Sequence, residues 1–333
     1  MKNVDIMTSS KLLKCLFHVV YGLGLVTSTL AQAQDFPRQP IKLIVPWAPG
    51  GNVDITARTI APTMSELLGQ QVVVENRAGA GGFIGSTAVV KSAPDGYTLL
   101  LGSSGSISIA PALTPTAPYN PETDLIAIGP IHAVPIVFSA SAKGSMKNFA
   151  DFSARVKTDK NLVSVGSAGN GSTQHLALEL LAQKMNIKLN HIPYKGSGPA
   201  LVDTIGGQID TIMDQLTASI SHIKTGALIP LAQTGLKRSP LLPNVPTFEE
   251  VGVKDFNMVT YTGVFGPRGM PQPIVDKLSK ALKESLERPT VRERFNGLGV
   301  DIITMDRTSF QDYVKKDFNT NKEIGKSANI VIN

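Results

Sequence analysis

Four loops rich in glycine and small polar residues are the part of this sequence best suited to chemistry. They are residues 49–52, 103–106, 169–173 and 195–198, and each follows a short apolar stretch and precedes a helical pattern. A helix start offers unpaired N–H groups and the positive end of the helix dipole, and glycine lets the backbone approach a ligand closely. Such loops suit a carboxylate or a phosphate, although each could also be a tight turn with a helix cap.

The sequence does not support nucleotide binding by these loops. Residues 79–84 begin like a dinucleotide-binding fingerprint, but Ile84 stands where the third glycine belongs. None of the four loops ends in Gly-Lys followed by serine or threonine. A nucleotide enzyme is therefore not predicted.

Catalytic and metal-binding patterns are equally sparse. The histidines beyond the first 33 residues are His132, His175, His191 and His222, and none makes a ligand-spaced pair. His175 follows Ser172 closely and could act as a base beside a hydroxyl, but no Gly-x-Ser-x-Gly elbow surrounds that serine. We predict no metal, no cofactor and no enzymatic activity, and we favour a helix-start or ligand-contact role for His175.

Two carboxylates beside the loops have two possible roles. Asp54 either favours the start of its helix or contacts the ligand. Asp214 either caps the helix that follows it or contacts the ligand. The sequence leaves both alternatives open.

Composition narrows the class of protein. The 333 residues suffice for about two domains of ~100–200 residues each, and 42% hydrophobic with 17% charged residues is typical of a globular protein. The net charge is +6, yet aromatic residues are few and no run of lysine or arginine occurs. This balance favours a small anionic ligand and not nucleic acid.

The first 33 residues have the pattern of a secretory signal peptide. Three lysines precede an apolar run over residues 15–30, which ends in Ala31-Gln32-Ala33. A membrane anchor is the alternative, but the run is shorter than the ~20 residues of a membrane span and contains His18. We predict export to the periplasm with cleavage after Ala33, which also removes the only cysteine, Cys15.

Periodicity predicts the elements that position the loops. Strands over 41–47, 72–75 and 97–102 alternate with helices over 53–68 and 83–93. The same rhythm returns with strands over 163–166, 189–193 and 209–213 and helices over 175–185, 199–205 and 215–224. We predict an α/β protein in which each half is a mixed, mostly parallel sheet with flanking helices, so that the loops gather at the strand ends where ligands bind.

The order of the elements suggests two lobes. Extended segments over 126–139 and 228–234 are candidate crossings between them, and an amphipathic helix with Ile274, Leu278 and Leu282 on one face returns to the first lobe. We predict a first lobe of residues 34–130 and 233–333 and a second lobe of residues 131–232.

Four long motifs resemble one family. They are "VPWAPGGNVDITAR", "ENRAGAGGFIGSTAVVKSAPDGYTLLLG", "HIPYKGSGPALVDTIGGQID" and "PNVPTFEEVG". From about Phe36 to its C-terminus the chain resembles the Bug-type periplasmic solute receptors of the tripartite tricarboxylate transporters. The resemblance implies a two-lobed periplasmic-binding-protein fold that holds a small organic acid between its lobes and delivers it to membrane permease subunits, without catalysis.

The resemblance also implies the ligand-binding residues. We add Trp47 to this set because it is next to the Gly50-Gly51 loop. The expected ligand-binding residues are Trp47, Gly50, Gly51, Asp54, Ser103, Ser106, Ser172, Thr173, His175 and Asp214. Trp47 stands where phenylalanine is common in the family, so we expect it to reshape the pocket. Tyr261 stands where tryptophan is frequent, and we expect it to belong to the core.

Alternative functions with the same pocket remain open. A ligand sensor for a signalling partner would have the same fold, and a secreted enzyme acting on an organic acid is the third candidate. We favour the transport receptor, acting as a monomer.

Overall fold

The computed structural model describes residues 36–158, 162–327 and 330–332. Phe36–Arg38 and the described residues from Gln39 onward belong to different compact units. The predicted signal peptide lies outside the described residues. Within the described ranges, no helix combines the length and apolar character needed to cross a membrane.

Strands and helices alternate along most of the chain. The strands are β1 (Ile41–Val45), β2 (Val72–Asn76), β3 (Thr98–Ser103), β4 (Leu125–Ser141), β5 (Ser164–Ser167), β6 (Asn190–Pro193), β7 (Thr211–Gln215), β8 (Leu228–Gln233), β9 (Val259–Pro267) and β10 (Asp301–Ile302). The helices are α1 (Asn52–Leu68), α2 (Phe83–Val90), α3 (Ala110–Leu113), α4 (Pro121–Asp124), α5 (Phe149–Thr158), α6 (Thr173–Met185), α7 (Ser197–Gly206), α8 (Leu216–Lys224), α9 (Gln272–Glu287), α10 (Pro289–Leu298) and α11 (Arg307–Ser327). A 3-10 turn covers Ala80–Gly82 and a π-helical turn covers Gly105–Ile109.

The two predicted α/β rhythms are confirmed. β2, β1 and β3 are parallel neighbours, and β9 lies antiparallel to both β3 and β4. β6, β5 and β7 are parallel neighbours, and β7 and β8 lie antiparallel to β4. Each half is therefore a mixed sheet, as the sequence predicts, although its two parallel pairs are accompanied by at least as many antiparallel pairs, because β4, β9 and β8 all join antiparallel.

Strand β4 is shared by the two halves. Its pairs with β9 run from Leu125 to Pro135, whereas its pairs with β7 and β8 lie between Ile136 and Ser141. We call β1, β2, β3, β9, β10 and the first part of β4 the first lobe, and β5–β8 with the second part of β4 the second lobe. β8 lies wholly along the second part of β4, and the chain regains the first lobe with β9. The lobe boundaries at residues 130 and 232 stay a prediction.

Each lobe has its own core. In the first lobe Ile44, Leu100, Phe265 and Phe310 are buried together, and Tyr261 packs edge-on against Phe310 with ring centroids 5.7 Å apart. Tyr261 is therefore a core residue, as the sequence predicts. In the second lobe, a separate cluster surrounds the buried phenylalanines Phe138, Phe152 and Phe248. Each lobe therefore has a hydrophobic core of its own.

Candidate functional site

The loops after the parallel strands of the two lobes meet each other. The backbone N–H of Ala48, after β1, donates to the carbonyl of Lys195, after β6, over 3.0 Å. Ser104 Oγ and Thr173 Oγ1 are hydrogen-bonded at 2.9 Å. The structure therefore brings together the loop edges of both lobes, as expected for strands whose carboxyl ends share one edge.

Glycines allow this close approach. A Cβ built on Gly198 would lie 2.1 Å from the carbonyl oxygen of Pro49, and one built on Gly81 would lie 2.2 Å from that of Asn170. Gly51 has more room, since its Cβ would lie 3.4 Å from Ser197 Cβ. Backbones of opposite lobes touch because these positions carry no side chain.

A small cavity, which we call the inner cavity, lies between these loops. Its volume is about 20 Å³. Its lining residues are Trp47, Gly51, Asn52, Val53, Ser103, Ala168, Thr173, Gln174, Ser197 and Gln215. No residue in this lining is charged, and the lining includes the first residues of α1, α6 and α7.

The start of α1 supplies backbone donors to this region. The first intrahelical hydrogen bond is made by Ile55 N–H to the carbonyl of Gly51 over 3.0 Å. The N–H groups of Asn52 and Val53 precede that bond, and Gly51 has no side chain with which to cap them. Together with the positive ends of three helix dipoles, these donors favour an anion.

Two buried side chains of the lining have unpaired polar atoms. Asn52 is 2% exposed, and within the described residues neither its Oδ1 nor its Nδ2 has a hydrogen-bond partner. Trp47 is 6% exposed, and its Nε1 likewise has no partner there. Buried polar atoms without partners destabilise a fold by about 1–3 kcal/mol each, so they are the atoms that a bound ligand would satisfy.

An amide network holds the opposite wall. Gln174 Nε2 donates to Gln215 Oε1 over 2.6 Å and to Ser197 Oγ over 3.2 Å. Gln215 Nε2 donates in turn to Thr260 Oγ1 over 3.1 Å. These three polar residues of the lining are buried and linked, so their orientations are fixed before a ligand arrives.

Four of the ten residues expected to bind ligand line the inner cavity, namely Trp47, Gly51, Ser103 and Thr173. The other six do not line it, and His175 lines a separate open groove with Glu179. The sequence reasoning missed Gln174, Ser197 and Gln215 as wall residues, although each directly follows or lies within a loop or strand end that it had singled out. Asn52, also absent from the ten, stands between two residues that were chosen.

Asp54 stabilises the loop of residues 49–52 through its carboxylate. Its carboxylate accepts hydrogen bonds from the backbone N–H of Gly50 (3.0 Å), from Arg58 Nε (3.0 Å) and from Asn76 Nδ2 (3.0 Å). Burial raises the pKa of Asp54, but the donors from Arg58, Gly50 and Asn76 outweigh it and hold the pKa below its usual value. The carboxylate is ionised at neutral pH and fully occupied with protein donors.

Asp214 is fully buried behind Gln215. Ser219 Oγ donates to its Oδ2 over 2.8 Å. Burial raises the pKa of Asp214 to about 6, against the opposing effect of nearby hydroxyl and amide donors. This carboxyl lies beneath the wall of the inner cavity and not in it.

Two of the remaining residues shape the loop ends. Ser172 caps α6, because its Oγ accepts from the N–H of His175 over 3.1 Å. Ser106 Oγ accepts from the N–H of Ser103 over 3.2 Å. Gly50 has φ 85°, a conformation that favours glycine at this turn.

The fold joins two histidines that are far apart in sequence. The rings of His175 and His191 stack at 4.4 Å with 14° between their planes, and His175 Nε2 lies 3.5 Å from Glu179 Oε1. Potential ligand atoms of the three residues lie within 4.8 Å of one another. An ion must lie near the plane of each imidazole that binds it, so stacked rings in this arrangement do not share one. Burial lowers the pKa of His191 to about 4.

A larger space, which we call the outer chamber, adjoins the inner cavity. Its volume is about 350 Å³, and it shares the residues Trp47 and Ala168 with the inner cavity. Its other walls include Phe83, Tyr194 and Lys195.

Comparison with known proteins identifies the family. A sequence model described as the tripartite tricarboxylate transporter family receptor matches residues 56–330. The periplasmic binding protein BugD is 37% identical, covers 89% of this chain and 99% of its own, and superposes with a TM-score of 0.86. The fold is therefore the two-lobed periplasmic-binding-protein fold.

Two solved relatives contain ligands. MatC from Rhodopseudomonas palustris, with bound malate, is 31% identical over 87% of this chain and 99% of its own, with a TM-score of 0.83. Rpa4515 from R. palustris, with adipate, is 31% identical over 89% of this chain and 99% of its own, with a TM-score of 0.85. The resemblance in the sequence motifs is confirmed, and this chain belongs to the family of solute receptors of the tripartite tricarboxylate transporters.

Proposed function

We propose that this protein binds a small organic carboxylate between its lobes in the periplasm and delivers it to membrane permease subunits. The observation that carries this proposal is the inner cavity, where three helix starts and unpaired buried polar atoms meet in a lining without charged residues. Related receptors solved with malate and with adipate support a carboxylate ligand.

The carboxylate is held by neutral donors in this proposal. The N–H groups at the start of α1, the indole N–H of Trp47 and the amide of Asn52 face it, with the hydroxyls of Ser103 and Thr173 beside them. Each neutral hydrogen bond contributes about 0.5–1.5 kcal/mol, and the helix dipoles add to the attraction. The remaining residues of the predicted site keep the loops in position.

Binding requires the lobes to separate and close. A cavity of about 20 Å³ admits no whole organic acid, so the ligand enters while the loops are apart. Strand β4 connects the lobes and changes partners between Pro135 and Ile136. We propose that this strand forms part of the hinge for closure.

A receptor accounts for the hydroxyls of the lining better than an enzyme does. Thr173 Oγ1 is hydrogen-bonded to Ser104, and Ser197 Oγ accepts from Gln174. Neither hydroxyl has a hydrogen bond to a histidine among the described residues. The buried Asp214 carboxyl next to Ser197 is shared with Ser219 and does not line the inner cavity.

Calorimetry on the mature protein tests the proposal, with malate, adipate, acetate and benzoate as probes. We expect binding of one molecule per chain for at least one acid, and stabilisation by about 2.7 kcal/mol at 100 times its dissociation constant. Mass spectrometry should recover that acid unchanged. A folded protein that binds none of them, or that converts one, would disprove the receptor proposal. A capture experiment with the ligand-loaded protein distinguishes transport from signalling. Capture of permease subunits supports transport, and capture of a sensor-kinase domain supports signalling.

A further inference from the structure

The size of the inner cavity limits which part of a ligand it can hold. Its volume of about 20 Å³ is close to the ~10–15 Å³ that a single water molecule requires. The carboxylate end of an acid fits such a space, whereas a ring or carbon chain attached to it does not. If the proposed function holds, the body of the ligand therefore occupies a neighbouring space.

The outer chamber is that neighbouring space. It shares Trp47 and Ala168 with the inner cavity, so a ligand with its carboxylate inside extends past these two residues. Its volume of about 350 Å³ lies in the range of ~300–1,000 Å³ that is typical of small-molecule pockets.

Three of the fifteen residues that line the chamber are aromatic. Trp47, Phe83 and Tyr194 all line it, with Pro118 beside them. Phe83 is held by an edge-on contact with Tyr119, with ring centroids 5.7 Å apart. Tyr194 donates its hydroxyl to Asp203 Oδ2 over 2.6 Å, so its polar end is already occupied and its ring is left for apolar contact.

Charge is scarce in the chamber wall. Of the described residues that line it, Lys195 alone is charged, and it is exposed. A second carboxylate in the chamber would meet one solvated ammonium group and would cover aromatic surface with a strongly hydrated anion. An aromatic ring would instead pack against the walls in the edge-on and offset arrangements that such rings prefer.

We propose that the outer chamber binds the ring of an aromatic monocarboxylate whose carboxylate enters the inner cavity. Benzoate is the simplest such ligand. Trp47 separates the two spaces and contacts both parts of the ligand. This inference names the ligand class and rests on the proposed function.

The chain contains its own reporter for a test, because Trp47 is its only tryptophan. Fluorescence titrations with benzoate, acetate and adipate give three dissociation constants on the unmodified protein. We expect benzoate to bind at least about ten-fold more tightly than acetate and adipate, because only its ring covers the aromatic wall.

Variants of the chamber wall locate the ring. Phe83→Ala should weaken benzoate binding by about ten-fold or more and leave acetate within about two-fold, since only the ring reaches the chamber. Phe83→Leu keeps a packed apolar side chain, so its affinity for benzoate should lie between those of the unmodified protein and Phe83→Ala. Circular dichroism of both variants checks that they are folded. Lys195→Met removes the ammonium group of the chamber wall and so tests for a second carboxylate there. Leu236→Ala, at a position 83% exposed, is the control for substitution itself.

The possible outcomes distinguish an error in the ligand class from an error in the proposed receptor function. If acetate or adipate binds as tightly as benzoate, or if Phe83→Ala affects all three acids equally, the aromatic assignment is wrong and the carboxylate receptor stands. If adipate binds most tightly and Lys195→Met removes that advantage, the chamber holds a second carboxylate. If the folded protein binds no carboxylate, both proposals are wrong.

Discussion

At the scale of single residues, position beside a loop does not determine whether a side chain contacts the ligand. Asp54 and Asn52 are two positions apart on the first turn of α1, yet the Asp54 carboxylate is occupied by three protein donors and the Asn52 amide by none that the structure describes. Asp54 therefore stabilises the loop, and Asn52 is the better candidate for ligand contact. The two residues differ in the direction that a helix turn gives their side chains.

Asn52→Asp should abolish carboxylate binding and keep the fold intact. The helix dipole favours a negative charge at this position, but Asn52 is buried, so desolvation of the new carboxylate should lower the melting temperature modestly while the protein stays folded. The same charge repels a bound carboxylate, and about 4 kcal/mol of repulsion at 4 Å for an effective dielectric constant of about 20 implies a loss of at least about 100-fold in affinity. Calorimetry measures the affinity and thermal melts measure the stability.

Asn120→Asp is the matched control. Asn120 caps another helix start, that of α4, and is exposed outside the inner cavity. The Asn120→Asp variant gains the same charge and should bind the carboxylate with the affinity of the unmodified protein. Full affinity in Asn52→Asp would exclude Asn52 as a contact.

Asp214 should make stability depend on pH. Its folded pKa of about 6 lies above the value of 3.8 for a free carboxyl group, so the folded state binds the proton more tightly than the unfolded state. Stability from this group is present below pH ~4 and is lost as the pH rises towards and through 6, by about 3 kcal/mol in total. Asp214→Asn keeps an acceptor for Ser219 and cannot ionise.

Denaturant unfolding of both proteins between pH 4 and 8 measures this effect as a difference. The stability of Asp214→Asn relative to the unmodified protein should rise with pH and level off above pH ~7. The contributions of all other titrating groups to the unfolding free energy are the same in both proteins and cancel in the difference. Parallel curves for the two proteins would contradict the raised pKa.

At the scale of elements, helix starts and backbone contacts between lobes determine what the site can do. α7 begins where Gly198 meets the carbonyl of Pro49 from the other lobe. α1 begins at Asn52, beneath Trp47 and the inner cavity. The same elements therefore supply the donors for an anion and the surfaces on which the lobes close.

Gly198→Ala should prevent full closure. Its new Cβ would lie 2.1 Å from Pro49 O, and φ at this position lies outside the range that strains an alanine. Alanine also favours a helix by about 1 kcal/mol over glycine, so the fold should not weaken. We expect at least about ten-fold weaker ligand binding, since the loop contacts that complete the closed site are lost.

Solution scattering with and without ligand distinguishes closure from a local effect. The unmodified protein should contract when ligand binds, and Gly198→Ala should not. Gly206→Ala lies on the same helix and meets nothing closer than 3.8 Å, so it should behave as the unmodified protein. Equal contraction of both variants would show that the contact at Gly198 does not limit closure.

At the scale of the whole molecule, two lobes with separate cores are joined by a shared strand. The lobes keep their own phenylalanine-rich interiors, while β4 pairs with strands of both. Both cores can stay packed when the lobes separate, but separation would expose a further buried cluster in which Ile109 and Leu113 contact Leu176. The arrangement fits a receptor that must capture a ligand and release it to a membrane partner.

Export should yield a protein that begins at Gln34. The lysines, the apolar run and Ala31-Gln32-Ala33 have the pattern that signal peptidase cleaves. Intact-mass measurement of the periplasmic protein should therefore give the mass of residues 34–333 and no free thiol. A lipid-modified product, or one that retains Cys15, would contradict this prediction.

The sequence by itself determined the alternation of strands and helices, the loops at the strand ends, the core position of Tyr261 and the family resemblance. Each of these follows from local periodicity or from contiguous motifs, which need no knowledge of distant contacts. The predicted helix over 83–93 ends earlier, at Val90, because element ends depend on caps and packing that periodicity does not report.

The tertiary structure alone decided which polar residues face the inner cavity. Gln174 meets Gln215, which is 41 positions away, and His175 stacks on His191 only because α6 packs beside β6. Asn76, which β2 brings alongside β1, adds a long-range donor to Asp54, whereas no described residue is brought to the side chain of Asn52. These outcomes rest on contacts between residues distant in sequence, and a linear pattern does not specify them, because burial and hydrogen-bond partners exist only once the strands are paired and the lobes are closed.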